Sequence, residues 1–166
     1  MINKKICMLG SFAVGKTSLV QRFVHSIFSD RYLSTLGVKI SKKELDLEGT
    51  PLTMVLWDLE GKDHYTEVNV SYLNGAMGFF VVADGTRRET LEIALELRNK
   101  ALELVPGPVP HMLLLNKADL RANWEISQDD VREIVAMGLP VIETSALTGH
   151  GVEYAFAELG KATLGR

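Results

Sequence analysis

The amino-acid sequence predicts an α/β fold of three layers, with helices on both faces of a six-stranded, mostly parallel sheet. Apolar runs of strand length alternate with amphipathic helical stretches, which is typical of parallel strands joined by crossover helices. The sequence Glu48-Gly49-Thr50-Pro51 lies between two such runs and predicts one antiparallel hairpin strand at the sheet edge. Repeats, low-complexity tracts and linkers do not interrupt the 166 residues, so we expect one domain over residues 1–166.

Four strands and one helix are expected in the first half of the chain. Ile6–Leu9 is apolar throughout, which indicates a buried strand. After it, Leu19, Val20, Phe23 and Val24 recur at the spacing of one helix face. Two strands flank the predicted turn, and another follows a polar loop. The expected strands are 6–9, 38–47, 52–57 and 77–83, and the expected helix is 17–25.

Two strands and three helices are expected in the second half. A helix is predicted by an apolar set at helical spacing, namely Leu91, Ala94, Leu95, Leu97, Ala101 and Leu102. Pro106-Gly107-Pro108 would end it. Ser127 followed by Asp130 is typical of a capping box at a helix start. The expected strands are 112–115 and 140–142, and the expected helices are 89–104, 127–137 and 151–163.

Composition limits the classes of function. A hydrophobic fraction of 46% is sufficient for a full core, and a net charge of −3 does not favour nucleic acid or an anionic membrane as the main partner. Cys7 lies in the first predicted strand, where a buried position is expected. The sequence contains neither a signal peptide nor a membrane-spanning apolar run, so we expect a cytoplasmic protein.

Residues 10–17, GSFAVGKT, fit the phosphate-loop pattern G-x-x-x-x-G-K-[ST] between the first predicted strand and helix. At such a junction, backbone N–H groups and the helix dipole favour a bound phosphate. Lys16 would contact the outer phosphates, and the Thr17 hydroxyl would ligate Mg²⁺. The loop therefore predicts a nucleoside triphosphate site with contacts at Ala13, Val14, Gly15, Lys16, Thr17 and Ser18.

The segment Asn116-Lys117-Ala118-Asp119 directly follows the predicted strand 112–115, at the sheet edge where ligands bind. A carboxylate at Asp119 can accept hydrogen bonds from N1–H and the exocyclic amine of guanine. Adenine lacks this pair of donors, and a buried unpaired carboxylate would be costly. A phosphate loop followed by N-K-x-D therefore predicts that GTP and GDP are the ligands.

With these motifs the chain resembles the small Ras-like GTPases over its whole length, and it is most similar to their Rab branch. The motifs in family order are the phosphate loop, Tyr32-Leu33-Ser34-Thr35-Leu36-Gly37-Val38, Trp57-Asp58-x-x-Gly61, residues 71–78, Asn116–Asp119 and Glu143-Thr144-Ser145-Ala146. The resemblance implies a small G-domain that binds GTP or GDP with Mg²⁺ as a molecular switch. Protein effectors and regulators would bind its switch regions, 26–38 and 59–74.

The resemblance also implies a role for each matching residue. Thr35 would ligate magnesium, and Asp58 would hold a magnesium-bound water. The Gly61 N–H would donate a hydrogen bond to the γ-phosphate. Loss of the γ-phosphate would therefore release both switch regions. The implied metal site is therefore Thr17, Thr35 and Asp58. Ser145 would support Asp119. The full set of implied guanine contacts is Phe28, Asn116, Lys117, Asp119, Leu120, Ser145, Ala146 and Leu147.

Three residues depart from the family pattern where GTP is hydrolysed. The Gln that orients the attacking water is Lys62 here, and a lysine ammonium offers no acceptor to the protons of that water. Glu60 adds a carboxylate near the phosphate, and Phe12 would crowd the approach of a helper arginine. We therefore expect slow hydrolysis at a reaction centre formed by Lys16, Thr35, Gly61 and Lys62.

Two interpretations of the function follow. The chain is either a slow GTPase that a partner resets, or a hydrolysis-deficient docking module held in its GTP- or GDP-bound state. A kinase that uses ATP is disfavoured by Asp119. For Arg31, an exposed loop position is favoured over a role as an internal arginine finger. For His64, a surface loop position is favoured over a role as a general base. Trp57 is expected to pack between the switches, and Trp124 to be a loop or surface residue without a role.

The sequence ends at Leu164-Gly165-Arg166 without a prenylation motif, and its start lacks a myristoylation signal. We therefore expect either a truncated chain or a protein that works without a lipid anchor, and in both cases a monomer. Ras-like proteins without a lipidated tail are familiar among prokaryotes, so the sequence is consistent with a prokaryotic Rab-like GTPase.

Overall fold

The computed structural model describes residues 1–24, 31–33, 37–59 and 70–166. Within these ranges, seven strands form one sheet in the order β2-β3-β4-β1-β5-β6-β7. The strands are β1 (Ile2–Gly10), β2 (Arg31–Leu33), β3 (Val38–Leu47), β4 (Thr50–Leu59), β5 (Gly78–Asp84), β6 (His111–Asn116) and β7 (Val141–Glu143). Because β1 lies between the two halves of the sheet, the strand order reverses there, and a crevice is expected at its carboxyl end.

The strand directions confirm the predicted fold class, and the structure adds one short strand at the sheet edge. Neighbouring strands from β4 to β7 pair in parallel, whereas β3 pairs antiparallel with both β2 and β4. The predicted hairpin is present, with Leu47 opposite Thr50. Beside the six predicted strands, the structure has a short seventh strand, β2, which pairs on the outer side of β3. Three residues within a polar segment are too few to show the period-2 pattern of a strand.

The four predicted helices agree with the structure to within a few residues at their ends, whereas α2 and the 3₁₀ helix were not predicted. They are α1 (Lys16–Val24), α2 (Val70–Leu73), α3 (Arg88–Leu104), α4 (Gln128–Ala136) and α5 (Val152–Thr163), with a 3₁₀ helix at Ala118–Asn123. The predicted capping box of α4 is confirmed, because Asp130 N–H donates to Ser127 Oγ over 3.1 Å and Ser127 N–H donates to Asp130 Oδ2 over 2.7 Å. In the part of the chain that the structure describes, no helix is long and apolar enough to cross a bilayer.

Two hydrophobic clusters cover the two faces of the sheet. Along β1, Ile6 and Met8 pack in the cluster under α1 and α5, while Cys7 and Leu9 pack in the cluster under α3. Cys7 is fully buried, as predicted, and burial raises the pKa of its thiol to about 12. Packing on both faces fixes the carboxyl ends of β1, β5 and β6, from which the predicted site residues project.

Candidate functional site

The loop that joins β1 to α1 requires glycine at two positions. Gly10 and Gly15 have φ angles of +156° and +101°. A Cβ atom on Gly10 would lie 2.7 Å from the Val82 carbonyl oxygen, and one on Gly15 would lie 2.3 Å from Asn116 Nδ2. The predicted phosphate loop therefore packs directly against β5 and against the first residue of the predicted guanine segment.

Lys16 holds a positive charge over this loop. Its Nζ donates to the carbonyl oxygens of Gly10 and Ser11 over 2.7 and 3.2 Å. Burial lowers the pKa of Lys16 from its usual range, and the nearby charge of Asp58 opposes that shift. The ammonium group is thus held against the backbone of the predicted phosphate loop.

Thr17 and Asp58 bring two oxygen donors together beside the phosphate loop. The Thr17 hydroxyl donates to Asp58 Oδ2 over 2.5 Å, and Asp58 is buried at the end of β4. Among the described residues, no group of three or more His, Cys, Asp or Glu side chains could hold a metal. One carboxylate with one hydroxyl nevertheless fits Mg²⁺, which usually keeps several waters and takes phosphate oxygens as further ligands. The donor chemistry of this pair therefore fits the predicted metal.

Asn116 connects the phosphate loop to the rest of the site. Its Nδ2 donates to the Val14 carbonyl over 3.0 Å, and its Oδ1 accepts a hydrogen bond of 3.1 Å from the Thr144 hydroxyl. Asn116 and Thr144 are both buried. Three segments that are distant in the sequence are thus held in one arrangement by a single side chain.

A pocket of about 500 Å³ opens beside this junction. The residues that line it all belong to the predicted nucleotide contacts, and they are Gly15, Ser18, Asn116, Lys117, Asp119, Leu120, Ala146 and Leu147. Leu147 is 75% exposed and Leu120 is 42% exposed, so the pocket has an apolar rim that faces solvent. An open, apolar-edged pocket of this size accepts a flat base.

Asp119 is oriented by Ser145, as the sequence resemblance implied. The Ser145 hydroxyl donates to Asp119 Oδ1 over 2.7 Å and accepts the Thr148 N–H over 3.1 Å. Ser145 is fully buried. The carboxylate of Asp119 is therefore held at the wall of the pocket, where it could accept hydrogen bonds from a base.

Asp84, at the carboxyl end of β5, was missed by the sequence analysis. It is 1% exposed and accepts hydrogen bonds from Lys117 Nζ over 2.9 Å, from Arg87 Nε over 3.1 Å and from the Thr86 hydroxyl over 2.7 Å. Burial alone would raise the pKa of Asp84, but these hydrogen bonds outweigh it and hold the pKa below its usual range. A carboxylate that directly ends a fully apolar strand was the available signal.

Trp124 contacts the predicted guanine segment, although the sequence analysis assigned it no role. Its Nε1 donates to the Lys117 carbonyl over 2.9 Å, and a Cβ on Gly85 would lie 2.1 Å from its ring. The Arg121 guanidinium lies 4.4 Å from the ring centroid. Lys117 has a left-handed backbone with φ +72° and ψ +40°. Trp124 therefore stabilises an unusual conformation two residues before Asp119.

Several predicted site residues lie outside the described residues. They are Phe28, Thr35, Gly61 and Lys62, together with Glu60 and His64. Arg31 belongs to β2 by its backbone, but its side chain is outside the description as well. The roles of these residues stay predictions.

Phe12 belongs to the phosphate loop, and Trp57 directly precedes Asp58. Phe12 is 48% exposed on the phosphate loop. Trp57 packs edge-on against Tyr72, with ring centroids 6.3 Å apart, and Lys5 Nζ lies 3.5 Å from the centroid of the Trp57 ring. The Phe12 ring is therefore exposed to solvent, whereas the Trp57 ring is partly buried in contact with Tyr72 and Lys5.

Comparison with known proteins agrees with this geometry. A sequence model of the Ras family matches residues 5–164. The chain is 34% identical to the Ras-related protein Rab-4 of Dictyostelium discoideum, over 92% of this chain and 75% of that protein. It is 30% identical to the GTP-binding protein YPTM2 of Zea mays over the same shares of the two chains. The Ras-related protein Rab-13 of Canis lupus familiaris is 29% identical over 96% of this chain and 79% of its own length.

The family match covers almost the whole chain, from the first strand to the last helix. Within it, the structure brings the phosphate loop, Asp58, the 116–119 segment and Ser145 to one edge of the sheet. The chain therefore belongs to the Ras family, whose members are GTPase switches that bind guanine nucleotides and protein partners.

Proposed function

We propose that this chain is a Rab-like molecular switch that binds GTP and GDP with Mg²⁺ and hydrolyses GTP slowly when no partner assists. The observation that carries the proposal is the junction at Asn116, which joins the phosphate loop at Val14 to the base pocket at Thr144. A ligand with a base at one end and phosphates at the other matches both parts of this site. Residues 1–166 would form one domain that works as a monomer.

The described side chains divide the binding of the nucleotide among them. Asp119, oriented by Ser145, would accept the N1–H and amine of guanine, and Lys117 would lie along the base. The Lys16 ammonium would exchange its carbonyl partners for phosphate oxygens. Thr17 and Asp58, with Thr35, would hold Mg²⁺, which would offset negative charge on the β- and γ-phosphates.

Slow hydrolysis follows from the residues around the γ-phosphate. Hydrolysis depends on a positioned water and on compensation of the charge that develops on the phosphoryl oxygens. The Lys62 ammonium would offer no acceptor to a hydrogen bond from that water, and Glu60 would add negative charge. The exposed ring of Phe12 would crowd the approach of a helper arginine. All three differences act against the same step.

A second candidate is a docking module that stays in one nucleotide state and binds partners through residues 26–38 and 59–74. The same three residues favour it, because without turnover the switch surface would not change. The partly exposed ring of Trp57, which packs against buried Tyr72, would supply an aromatic contact for such a partner. The contact between Thr17 and Asp58, which would hold Mg²⁺, favours the switch instead.

Single-turnover GTP hydrolysis separates the two candidates. The unmodified chain is loaded with GTP labelled on its γ-phosphate, and phosphate release is followed with and without cell extract. A rate on the order of 10⁻⁴ per second or lower that extract accelerates supports the switch. Bound GTP that persists even with extract supports the docking module. Release at or above the rate of Gln-containing relatives would overturn both.

A further inference from the structure

We infer that Arg87 is a positioning residue that orients the phosphate loop and so determines how tightly the outer phosphates of the nucleotide are bound. The inference rests on the proposed nucleotide site and adds a residue to it. The Arg87 Nη2 donates to the Phe12 carbonyl over 3.1 Å, and its Nε donates to buried Asp84 over 3.1 Å. One guanidinium thus joins β5 to the phosphate loop.

The hydrogen bond to Phe12 acts on the peptide group that follows it. The Phe12 carbonyl and the Ala13 N–H belong to one planar trans peptide and point in opposite directions. When Arg87 holds the carbonyl on the outer side, the Ala13 N–H points the other way. Ala13 is one of the predicted phosphate contacts, so Arg87 would set the direction of a donor that it does not touch.

Ala13 has a backbone that needs such a restraint. Its φ is +65°, in the left-handed region that residues with a Cβ rarely adopt. The peptide before it could relieve this conformation by turning, and the Ala13 N–H would then leave the phosphate site. A charge-assisted hydrogen bond to the carbonyl opposes that turn.

Arg87 is itself fixed before any ligand binds. Its backbone N–H donates to the Asp84 carbonyl over 3.0 Å, and its own carbonyl accepts the Thr90 hydroxyl over 2.6 Å. Thr90 is fully buried. The side chain therefore leaves an anchored backbone and ends on two acceptors, which reduces the entropy lost when it restrains the loop.

The neighbouring Arg88 provides a matched control. Arg88 has the same charge as Arg87 and is the first residue of α3, directly after Arg87. Its side chain pairs instead with Asp130 of α4 over 2.8 Å. Loss of Arg88 removes a positive charge and an ion pair without removing a contact to the phosphate loop. Any effect of net charge or of helix stability alone would appear in both Arg87→Ala and Arg88→Ala.

The test compares the Kd values of GDP and GMP, because GMP lacks the outer phosphates that the loop would surround. Arg87→Ala is expected to weaken GDP roughly tenfold, the effect of one lost charge-assisted hydrogen bond, and to change GMP much less. The ratio of the Kd of GMP to the Kd of GDP should therefore fall, whereas Arg88→Ala should leave this ratio unchanged. Arg87→Lys keeps the charge and the long stem, so a smaller fall is expected; it also serves if Arg87→Ala does not fold.

Two results would overturn the inference alone. One is an unchanged Kd ratio in folded Arg87→Ala or Arg87→Lys, and the other is an equal fall of the ratio in Arg88→Ala. A general loss of stability would weaken GDP and GMP by the same factor, which also leaves the ratio unchanged. If the unmodified chain binds neither GDP nor GTP, the proposed function is overturned together with the inference.

Discussion

Thr17 and Asp58 are 41 positions apart in the sequence, yet the Thr17 hydroxyl donates to Asp58 Oδ2 over 2.5 Å. The contact arises because β1 and β4 are parallel neighbours with Met8 opposite Asp58, so α1 begins just beyond the end of β4. Two oxygen donors meet where a phosphate chain would end. The distance between these two residues thus depends on the register of the central strands.

The first prediction concerns this pair. Thr17→Asn should weaken GTP binding more than GDP binding, because the lost hydroxyl is a proposed ligand of a metal that bridges the β- and γ-phosphates. Kd values for both nucleotides, measured with and without excess EDTA, check it. The difference between the variant and the unmodified protein should disappear when Mg²⁺ is removed. An equal loss of affinity for GTP and GDP would show that Thr17 has another role.

Asp119→Asn should shift the preference of the site from guanine toward xanthine nucleotides. An amide can donate to the C2 carbonyl of xanthine, whereas it no longer accepts both donors of guanine. Ser145 holds the side chain in place, so the change should act on base choice rather than on the fold. Competition among GDP, XDP and ADP measures the shift. Equal affinities of the unmodified protein for ADP and GDP would contradict the guanine assignment.

Trp124→Phe should weaken nucleotide binding while the ring still packs against Gly85. The variant loses the 2.9 Å hydrogen bond to the Lys117 carbonyl, and a hydrogen bond of this kind is worth about 0.5–1.5 kcal/mol. The GDP Kd should therefore rise by roughly two- to tenfold. Trp57→Phe, which changes the other tryptophan, is the control and should leave the Kd of GDP nearly unchanged. A larger effect from Trp57→Phe would argue against Trp124 as a support of the base segment.

The hydrolysis rate should respond to three substitutions together more than to any one. Lys62→Gln alone would still leave the Phe12 ring in the approach path, and Glu60→Ala alone would not orient a water. The triple variant with Phe12→Gly should therefore gain more than the single changes combined, because the three sites share one space. Single-turnover assays on protein that is already loaded with GTP make the comparison independent of affinity. Additive effects would mean that the three side chains act separately.

The Asp130 carboxylate should make stability depend on pH in the acid range. The hydrogen bond from Arg88, with those from Ser127, holds the pKa of Asp130 well below its usual range. Its contribution is therefore complete above the ordinary aspartate pKa of about 3.9 and is lost as the pH falls below it. Asp130→Asn should lower the Tm by an amount that is constant from neutral pH to about pH 5 and that shrinks below about pH 4.

The neighbouring Asp129 is the control for that series. It is exposed and pairs with Arg132 within the same helix, so Asp129→Asn should change the Tm little at any pH. Thermal unfolding of both variants and the unmodified protein across the pH range makes the comparison. A gap for Asp130→Asn that widens in acid would contradict the assigned direction of the pKa shift.

The fold and much of the candidate site could be predicted because their signals are local. The phosphate loop and the 116–119 segment are short continuous motifs, and each directly follows an apolar strand. Once the strands are parallel neighbours, their ends must meet at one edge of the sheet. The close contact of Gly15 with Asn116 is the structural result.

The remaining features depend on contacts that leave no pattern along the chain. Asp84 follows the predicted strand 77–83 directly, and its pairing with Lys117 depends on the register of β5 and β6. Trp124 had no periodic neighbours, and its role depends on the left-handed backbone of Lys117. Tertiary contacts of this kind become visible only when the strands and loops are in place.

Asn116 is hydrogen-bonded to both Val14 and Thr144, so the phosphate loop and the base pocket would bind the two ends of one ligand together. A ligand whose base is already bound would present its phosphates to the loop at a high effective concentration. A ligand whose phosphates are already bound would present its base to the pocket in the same way. The intact nucleotide should therefore bind far more tightly than a free base or a free diphosphate binds alone. In a switch, this coupling would keep the nucleotide bound when only the phosphate loop or only the base pocket opens. Release would require both to open at once.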